Sequence, residues 1–265
     1  MKITNYIFLL LFIIVGLFSC SKEEPPSPLQ NQIIDDSLFS QYVNYDFPME
    51  IYLPAEYETN KNLPIVYLLE GVKVAQSTGE KFIDVVVGTM NNVGLKAILV
   101  AVGDRSGVER ELDFLAPGCL GSEQGFSNYY NFVTKELIPY IDNNYSNDHS
   151  RRTLIGHSHG GNFVNNLLFR EDPNNILFYG YISVDPSECD FSTWEEGVNK
   201  MNLPNDAIVK LHISEARYNL EPLNDLFKAK NFPWLFIDFV KYPDEDHVSV
   251  ARPSIRKGLK FIYGI

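Results

Sequence analysis

Short, uninterrupted apolar runs recur along the chain and alternate with longer segments whose apolar residues have helical spacing. The predicted strands lie at residues 49–53, 63–69, 97–102, 180–184, 208–213 and 234–240. The predicted helices lie at residues 79–93, 126–145, 220–229 and 253–263. This alternation predicts an α/β fold with a mostly parallel central sheet and helices on both faces. Pro139 predicts a kink in the helix at residues 126–145.

The first 19 residues predict a secretory signal peptide. Lys2 gives a basic start, and residues 7–18 form an almost wholly apolar run that is too short for a comfortable membrane span. The run leads into Leu17-Phe18-Ser19-Cys20, which resembles a lipobox, although Phe18 stands where small or branched residues are usual. We therefore expect Cys20 to be lipidated after cleavage. An ordinary signal peptide followed by an unrelated cysteine is the alternative.

Residues 20–37 predict a flexible tether, because Ser21 to Pro28 are polar and Pro-rich and cannot form a packed core. Residues 38–265 then remain for one α/β domain, a length that suits a single substantial core. With a lipid on Cys20, this organisation predicts a protein of the cell envelope. It would be anchored in the outer membrane and face the periplasm or the exterior.

Charge and cysteine content narrow the classes of partner and compartment. The chain has a formal net charge of −12 and no basic run, which argues against nucleic acid as a partner. Cys119 and Cys189 are the cysteines outside the N-terminal segment. An oxidising compartment permits a disulfide between them, but their spacing leaves two free thiols as the alternative.

The most informative motif is Gly156-His157-Ser158-His159-Gly160, a Gly-x-Ser-x-Gly sequence. It follows a short strand-like segment at residues 151–155 and precedes apolar residues at helical spacing, so its context is strand, turn and helix. In this context the serine lies at the apex of a sharp turn, beside helix N–H groups that can hold an oxyanion. Ser158 is therefore the candidate nucleophile. A Gly-rich turn without chemistry is the alternative.

A serine nucleophile needs a histidine as general base, and the histidine needs an acid that fixes its tautomer. In this architecture the order along the chain is serine, acid, histidine. His247 lies in a polar loop between the last predicted strand and the last predicted helix, so we predict that it is the base. His212 lies in mid-strand, where packing is the expected role. His157 and His159 have no further ligand cluster nearby, so no metal site is predicted.

The acid is expected directly after the penultimate predicted strand. Glu215 follows that strand and is the preferred candidate, with Glu221 as the alternative. Glu221 and Asp225 lie at the start of the next helix, where a carboxylate ordinarily stabilises the helix N-terminus.

An oxyanion hole requires two N–H donors. One is expected from the backbone of His159, the residue after the nucleophile. The other is expected from Gly71 or Val72, in the loop after the strand at residues 63–69.

Arg105 and Arg110 follow a strand end near the expected cleft. They are candidates for binding an anionic substrate. A structural ion pair between Arg110 and Asp113 is the alternative.

Several segments resemble the putative-esterase family of α/β-hydrolases, which includes esterase D, enterochelin (siderophore) esterases and feruloyl esterases. The resemblance spans roughly residues 45–263. It is carried by Val66-Tyr67-Leu68-Leu69-Glu70-Gly71, Arg110-Glu111-Leu112-Asp113-Phe114, Glu136-Leu137-Ile138-Pro139-Tyr140-Ile141, residues 151–161, Gly180-Tyr181-Ile182-Ser183, Asp246-His247 and Gly258-Leu259-Lys260-Phe261.

The resemblance implies an α/β-hydrolase fold and ester hydrolysis through an acyl-enzyme on Ser158, without metal or cofactor. The implied substrate is an acyl ester of a sugar, a phenolic acid or a siderophore. Two segments depart from the family: Ser214-Glu215-Ala216-Arg217 replaces a Gly-rich stretch, and Cys189 replaces a bulky aromatic residue. Two alternatives keep the fold. One is a non-catalytic ligand-binding lipoprotein of an uptake system, and the other is an acyltransferase.

Overall fold

The computed structural model describes residues 30–73 and 79–265. The predicted signal peptide, the lipobox and the tether up to residue 29 lie outside the described residues. The strands are β1 (Gln32–Ser40), β2 (Tyr45–Leu53), β3 (Ile65–Leu69), β4 (Ile98–Val102), β5 (Arg152–His157), β6 (Gly180–Val184), β7 (Val209–Glu215) and β8 (Leu235–Lys241). The α-helices are α1 (Phe82–Val93), α2 (Val108–Phe114), α3 (Glu123–Asn131), α4 (Ile138–Asn144), α5 (His159–Leu168), α6 (Phe191–Lys200), α7 (Glu221–Lys230) and α8 (Ala251–Tyr263). No helix in this part of the chain is long and apolar enough to cross a membrane.

The strands form one sheet in the order β1-β2-β4-β3-β5-β6-β7-β8. β2 pairs antiparallel with β1 and β4, and the other neighbours are parallel. Successive side chains of a strand point to opposite faces, so Tyr67 and Leu69 enter one hydrophobic core while Val66 and Leu68 enter the other. The predicted parallel sheet with helices on both faces is confirmed. Because its strands are parallel, the loops after β3, β5, β6 and β7 meet at one edge.

The domain begins earlier than the sequence pattern predicts. β1 starts at Gln32 and pairs with β2 along its length, so the predicted tether at residues 20–37 is wrong for residues 32–37. Ile34 and Leu38 of β1 are half-buried, and the residues between them are mostly exposed. A strand at the sheet edge buries one face only, so it has no continuous apolar run that would reveal it.

The long helix predicted at residues 126–145 is divided into three parts. α3 ends at Asn131, residues Phe132–Leu137 form π-helical turns, and α4 follows. Pro139 has no N–H to donate, and its ring excludes the carbonyl four residues earlier. The backbone therefore widens in the turn before Pro139, and the irregularity extends over several residues rather than forming a kink at one position.

A disulfide joins Cys119 and Cys189, which are 70 residues apart in the sequence. It links the loop after α2 to the segment between β6 and α6. The Asp190 N–H also donates to the carbonyl of Gly118 at 3.0 Å. In the chain-entropy model, a cross-link over a loop of this length contributes about 4 kcal/mol of stability. The disulfide thus connects the segment after β6 covalently to the loop after α2.

Candidate active site

Ser158 lies on the sharp turn between β5 and α5, as the Gly-x-Ser-x-Gly motif predicts. Its backbone has φ 57° and ψ −117°, and residues other than glycine rarely adopt a positive φ. At Gly156 a Cβ would lie 2.2 Å from the carbonyl oxygen of Gly160, so only glycine fits this close approach. The turn leaves Ser158 at the start of α5, where the N–H groups have no intrahelical acceptors.

The end of β6 holds this turn in place. The N–H of Ser158 donates to the carbonyl of Val184 at 3.0 Å, and the N–H of Ser187 donates to the carbonyl of Ser158 at 3.1 Å. The hydroxyl of Ser187 also lies 3.1 Å from Nδ1 of His159. The turn that carries Ser158 and the loop after β6 are therefore one connected unit.

His247 lies in the segment between β8 and α8, where the sequence places the general base. His157, the residue before Ser158, contacts it: Nε2 of His157 is 2.6 Å from the carbonyl oxygen of His247, and the ring centroids are 4.5 Å apart. Burial and the nearby His247 lower the pKa of His157 to about 4. A neutral His157 can then donate its Nε2–H to that carbonyl, which connects His247 to the turn that carries Ser158.

The His247 side chain is oriented by Asp185. Nδ1 of His247 lies 2.6 Å from Oδ2 of Asp185, and Asp185 is fully buried. Asp185 directly follows β6, which lies beside β5 in the sheet, so Asp185 and Ser158 leave neighbouring strand ends. The order serine, acid, histidine is kept along the chain, but the acid comes one strand earlier than predicted.

The end of β7, where the acid was expected, supplies N–H groups to Asp185. The backbone N–H groups of Ala216, Arg217 and Tyr218 donate to its carboxylate at 2.9–3.3 Å. Burial alone raises the pKa of Asp185, but the hydrogen bonds from His247 and from these N–H groups outweigh burial and lower the pKa below its ordinary value. Asp185 is therefore ionised at neutral pH, as an acid that orients an imidazole must be.

Glu215 and Glu221 have other partners. The N–H of Leu220 donates to Oε2 of Glu215 at 2.7 Å, and Oε1 of Glu215 lies 3.3 Å from Nζ of Lys241. Glu221 forms an ion pair with the same lysine. The predictions of Glu215 as the acid and of Glu221 as its alternative are therefore wrong. The reason is the register of β7 and β8, which pairs Glu215 with Lys241 and directs its carboxylate to that cation.

Of the three predicted oxyanion donors, two remain available to a substrate. The N–H of Gly71 donates to the carbonyl of Val102 at 3.0 Å, so it is not available to a substrate. Val72 in the same turn remains as the donor from this loop. His159 is the first residue of α5, so its N–H has no intrahelical acceptor. The N–H groups of His159 and Val72 are therefore the candidate oxyanion hole.

A family model described as Putative esterase matches residues 40–228. The chain belongs to this family. The Ferri-bacillibactin esterase BesA from Bacillus subtilis (strain 168) is 24% identical over 155 residues, which cover 52% of this chain and 51% of that protein. The chain thus matches about half the length of this curated relative.

Solved structures share the fold of this esterase-family chain. An IroE-like serine hydrolase from Shewanella oneidensis gives a TM-score of 0.68 at 22% identity, over 86% of this chain and 79% of the other. The siderophore hydrolase EstB from Aspergillus nidulans gives a TM-score of 0.67 at 18% identity, over 90% of this chain and 96% of the other. The predicted α/β-hydrolase fold and the predicted family are therefore confirmed.

In this esterase-family chain, carboxylates hold the two arginines that were predicted to bind substrate. Nε of Arg105 donates to Asp113 at 2.8 Å, and Nη2 of Arg110 donates to Glu70 at 3.0 Å. The partner of Asp113 is thus Arg105 and not Arg110. Both guanidinium groups are engaged, so a role in binding an anionic substrate does not fit their geometry. Arg110 instead anchors the start of the turn that carries Val72.

An exposed cation lies beside Tyr218, whose ring is next to His247. The ring of Tyr218 is 5.4 Å from the ring of His247, and the guanidinium of Arg217 is 5.3 Å from the ring of Tyr218. Among residues 30–73 and 79–265, no carboxylate forms an ion pair with the Arg217 guanidinium. Tyr218 therefore places an aromatic ring next to the proposed base, and Arg217 adds a positive charge beside that ring.

Asp185 is the site residue that sequence reasoning missed. The signal that points to it is its place directly after a buried parallel strand, because functional side chains collect at the carboxyl ends of such strands. Glu215 has the same kind of place one strand further on. The tertiary contacts distinguish the two carboxylates, because His247 contacts Asp185 and Lys241 contacts Glu215.

Proposed function

We propose that this protein is a serine ester hydrolase that works through an acyl-enzyme on Ser158. His247 takes the proton from the Ser158 hydroxyl, and Oγ bonds to the ester carbonyl carbon. The bond from that carbon to the alcohol oxygen then breaks, and the alcohol leaves with the proton from His247. Water, deprotonated by the same histidine, cleaves the acyl-enzyme and restores the serine. The N–H groups of His159 and Val72 stabilise the oxyanion in both steps.

The observation that carries this proposal is the 2.6 Å hydrogen bond between His247 and Asp185. It occupies Nδ1, so a neutral His247 keeps its proton there and has the Nε2 lone pair free to accept the serine proton. The ionised Asp185 also stabilises the imidazolium that forms after proton transfer. A non-catalytic binding protein has no need for such a bond, which favours the hydrolase over that alternative.

Covalent labelling tests the nucleophile. A fluorophosphonate reagent reacts with an activated serine, and we expect it to modify the folded protein once, at Ser158. Intact-mass measurement gives the stoichiometry, and peptide mass spectrometry gives the position. The same protein unfolded in urea is the control, because activation requires the assembled site. Labelling elsewhere, or equal labelling of the unfolded chain, contradicts the proposal.

For the substrate, we propose the ester bonds of a siderophore that has anionic aromatic acyl groups. The named relatives include an esterase for ferri-bacillibactin and a siderophore hydrolase. Arg217 and Tyr218 support this choice, because a guanidinium beside an aromatic ring suits a negatively charged aromatic group. The net charge of −12 repels a polyanion over most of the surface, so a local cation is needed.

Replacing Arg217 with alanine tests the substrate class. We expect Arg217→Ala to raise KM for an iron-loaded tricatecholate trilactone by about tenfold, because it removes a charged contact worth about 1.4 kcal/mol. Kinetics on neutral p-nitrophenyl acetate should be unchanged, and the Arg217→Lys control should recover part of the loss. Product release is followed by liquid chromatography. A wild-type preference for methyl ferulate or an acetylated sugar contradicts the siderophore assignment.

We also propose that the protein works outside the cytoplasm, on the outer membrane, through a lipid on Cys20. The disulfide between Cys119 and Cys189 supports an oxidising compartment, where such bonds persist. Cells fed an alkyne fatty acid should incorporate it into the wild-type protein and not into Cys20→Ala. Equal incorporation into both proteins, or into neither, contradicts the anchor.

A further inference from the structure

A fully buried histidine lies outside the site described above, between β7, β8 and α8. Nδ1 of His212 is 2.9 Å from Oδ2 of Asp238 on β8, its partner in the strand register. Nε2 of His212 is 3.1 Å from Oγ of Ser254, in the first turn of α8. Both ring nitrogens are therefore occupied, one by a carboxylate and one by a hydroxyl.

The same chain of contacts continues to Asp185. Oγ of Ser254 shares a hydrogen bond of 2.8 Å with Oγ of Ser214 on β7, and both serines are fully buried. The N–H of Asp185 donates to Oγ of Ser214 at 3.2 Å and to the Ser214 carbonyl at 3.1 Å. His212, Ser254 and Ser214, which we call the relay, thus end on the backbone of the residue that orients His247.

The relay lies between the sheet and α8, in a layer made mostly of apolar side chains. The side chains around it include Ile182, Ile255 and Leu259, and burying polar groups among such residues costs free energy unless each group finds a partner. α8 also packs very closely here, since a Cβ on Gly258 would lie 2.9 Å from Cδ2 of His212. Three linked polar side chains among apolar residues therefore indicate a role beyond packing.

The backbone of Asp185 supplies that reason. Its φ is 39°, a positive value that is unfavourable for an aspartate, so surrounding contacts must hold the peptide in this conformation. The direction of the peptide decides where the carboxylate points. A small rotation would move Oδ2 away from Nδ1 of His247, and misplacement of a catalytic group by about 1 Å costs up to about 100-fold in rate.

We propose that the relay positions Asp185. His212, held by Asp238, fixes the Ser254 hydroxyl, Ser254 fixes Ser214, and Ser214 holds the Asp185 peptide so that its carboxylate aims at His247. The relay residues touch no reacting atom, and this inference rests on the proposed esterase mechanism of Ser158, His247 and Asp185.

Ser214→Ala and Ser254→Ala test the proposal, because each removes one buried hydroxyl and leaves no charge without a partner. We expect each variant to lower kcat on p-nitrophenyl acetate by about tenfold with KM unchanged, since positioning acts on the reaction and not on substrate binding. Ser214→Ala should have the larger effect because Ser214 contacts Asp185 directly. Unchanged kcat in Ser214→Ala overturns the proposal.

The matched control is Thr153→Val. Oγ1 of Thr153 on β5 is 2.8 Å from the hydroxyl of Tyr263, so this variant also removes a buried hydroxyl contact between the sheet and α8, at the other end of that helix. We expect Thr153→Val to lower the melting temperature about as much as Ser214→Ala and to keep the wild-type kcat. An equal loss of kcat in the control means that the serines act through stability, which overturns the proposal.

A second measurement separates positioning from packing. In the Asp185→Asn variant there is no carboxylate left to orient toward His247. Adding Ser214→Ala to this variant should therefore lower kcat by less than about twofold. If the serine acts only on stability or packing, the tenfold loss recurs in the double variant, and the relay proposal fails. Failure of the esterase mechanism is detected separately, by activity that persists in Ser158→Ala.

Discussion

In Asp185→Asn, kcat on p-nitrophenyl acetate is expected to fall by about 10⁴-fold while KM changes little. The amide turns an N–H group toward Nδ1 of His247, so the imidazole must place its own proton on Nε2, where it can no longer accept the serine proton. The amide oxygen can still accept from the N–H groups of residues 216–218, so the fold should survive. Circular dichroism and thermal melting check this point.

The matched control is Glu215→Gln, the same change from carboxylate to amide at the end of the neighbouring strand. The new amide oxygen can still accept from the N–H of Leu220, and we expect kcat within about twofold of the wild type. The opposite ranking, with Glu215→Gln inactive and Asp185→Asn active, would restore the acid that the sequence favours. It would also contradict the arrangement in which His247 contacts Asp185.

Ser158→Ala should lower ester hydrolysis by a factor on the order of 10⁶ and leave only a small residual rate over water. Alanine has no oxygen to acylate, and the oxyanion donors can then assist only direct attack by water. Release of p-nitrophenol measures the loss. Fluorophosphonate labelling of the same variant should disappear, because no activated oxygen remains at this position.

A neighbouring serine provides the control for this variant. Ser187→Ala removes a hydroxyl that contacts the side chain of His159, but it leaves the backbone N–H that donates to the Ser158 carbonyl. It should still be labelled at Ser158. If Ser158→Ala keeps the wild-type rate, the acyl-enzyme mechanism is wrong, whatever the other variants show.

The strands that could be predicted from the sequence are the ones buried on both faces. β3, β4 and β6 are wholly buried, so each has a continuous apolar run. β1 is a half-exposed edge strand and has no such run. α2 and α6 also escaped prediction: α2 has only seven residues, and α6 buries only Trp194 and Val198.

Ser158 and His247, the nucleophile and the base of the proposed mechanism, could also be predicted from the sequence, since each depends on a local pattern. The motif around Ser158 needs glycine where a Cβ would collide with Gly160, and this requirement is visible in the residues themselves. His247 was found by its place between the last strand and the last helix. The roles assigned to Arg105 and Arg110 did not fit, because sequence spacing says nothing about which carboxylates face them.

The Gly-x-Ser-x-Gly turn, the order of the strands buried on both faces and the loop of the histidine were thus determined by the sequence alone, because each is set by residues close together in the chain. The carboxylate that contacts His247 was decided only by the tertiary structure. Asp185 and Glu215 lie at the ends of adjacent strands, and their contacts differ because the register of β7 and β8 places Glu215 beside Lys241. The N–H groups after β7 then close around Asp185, which leaves that carboxylate facing His247.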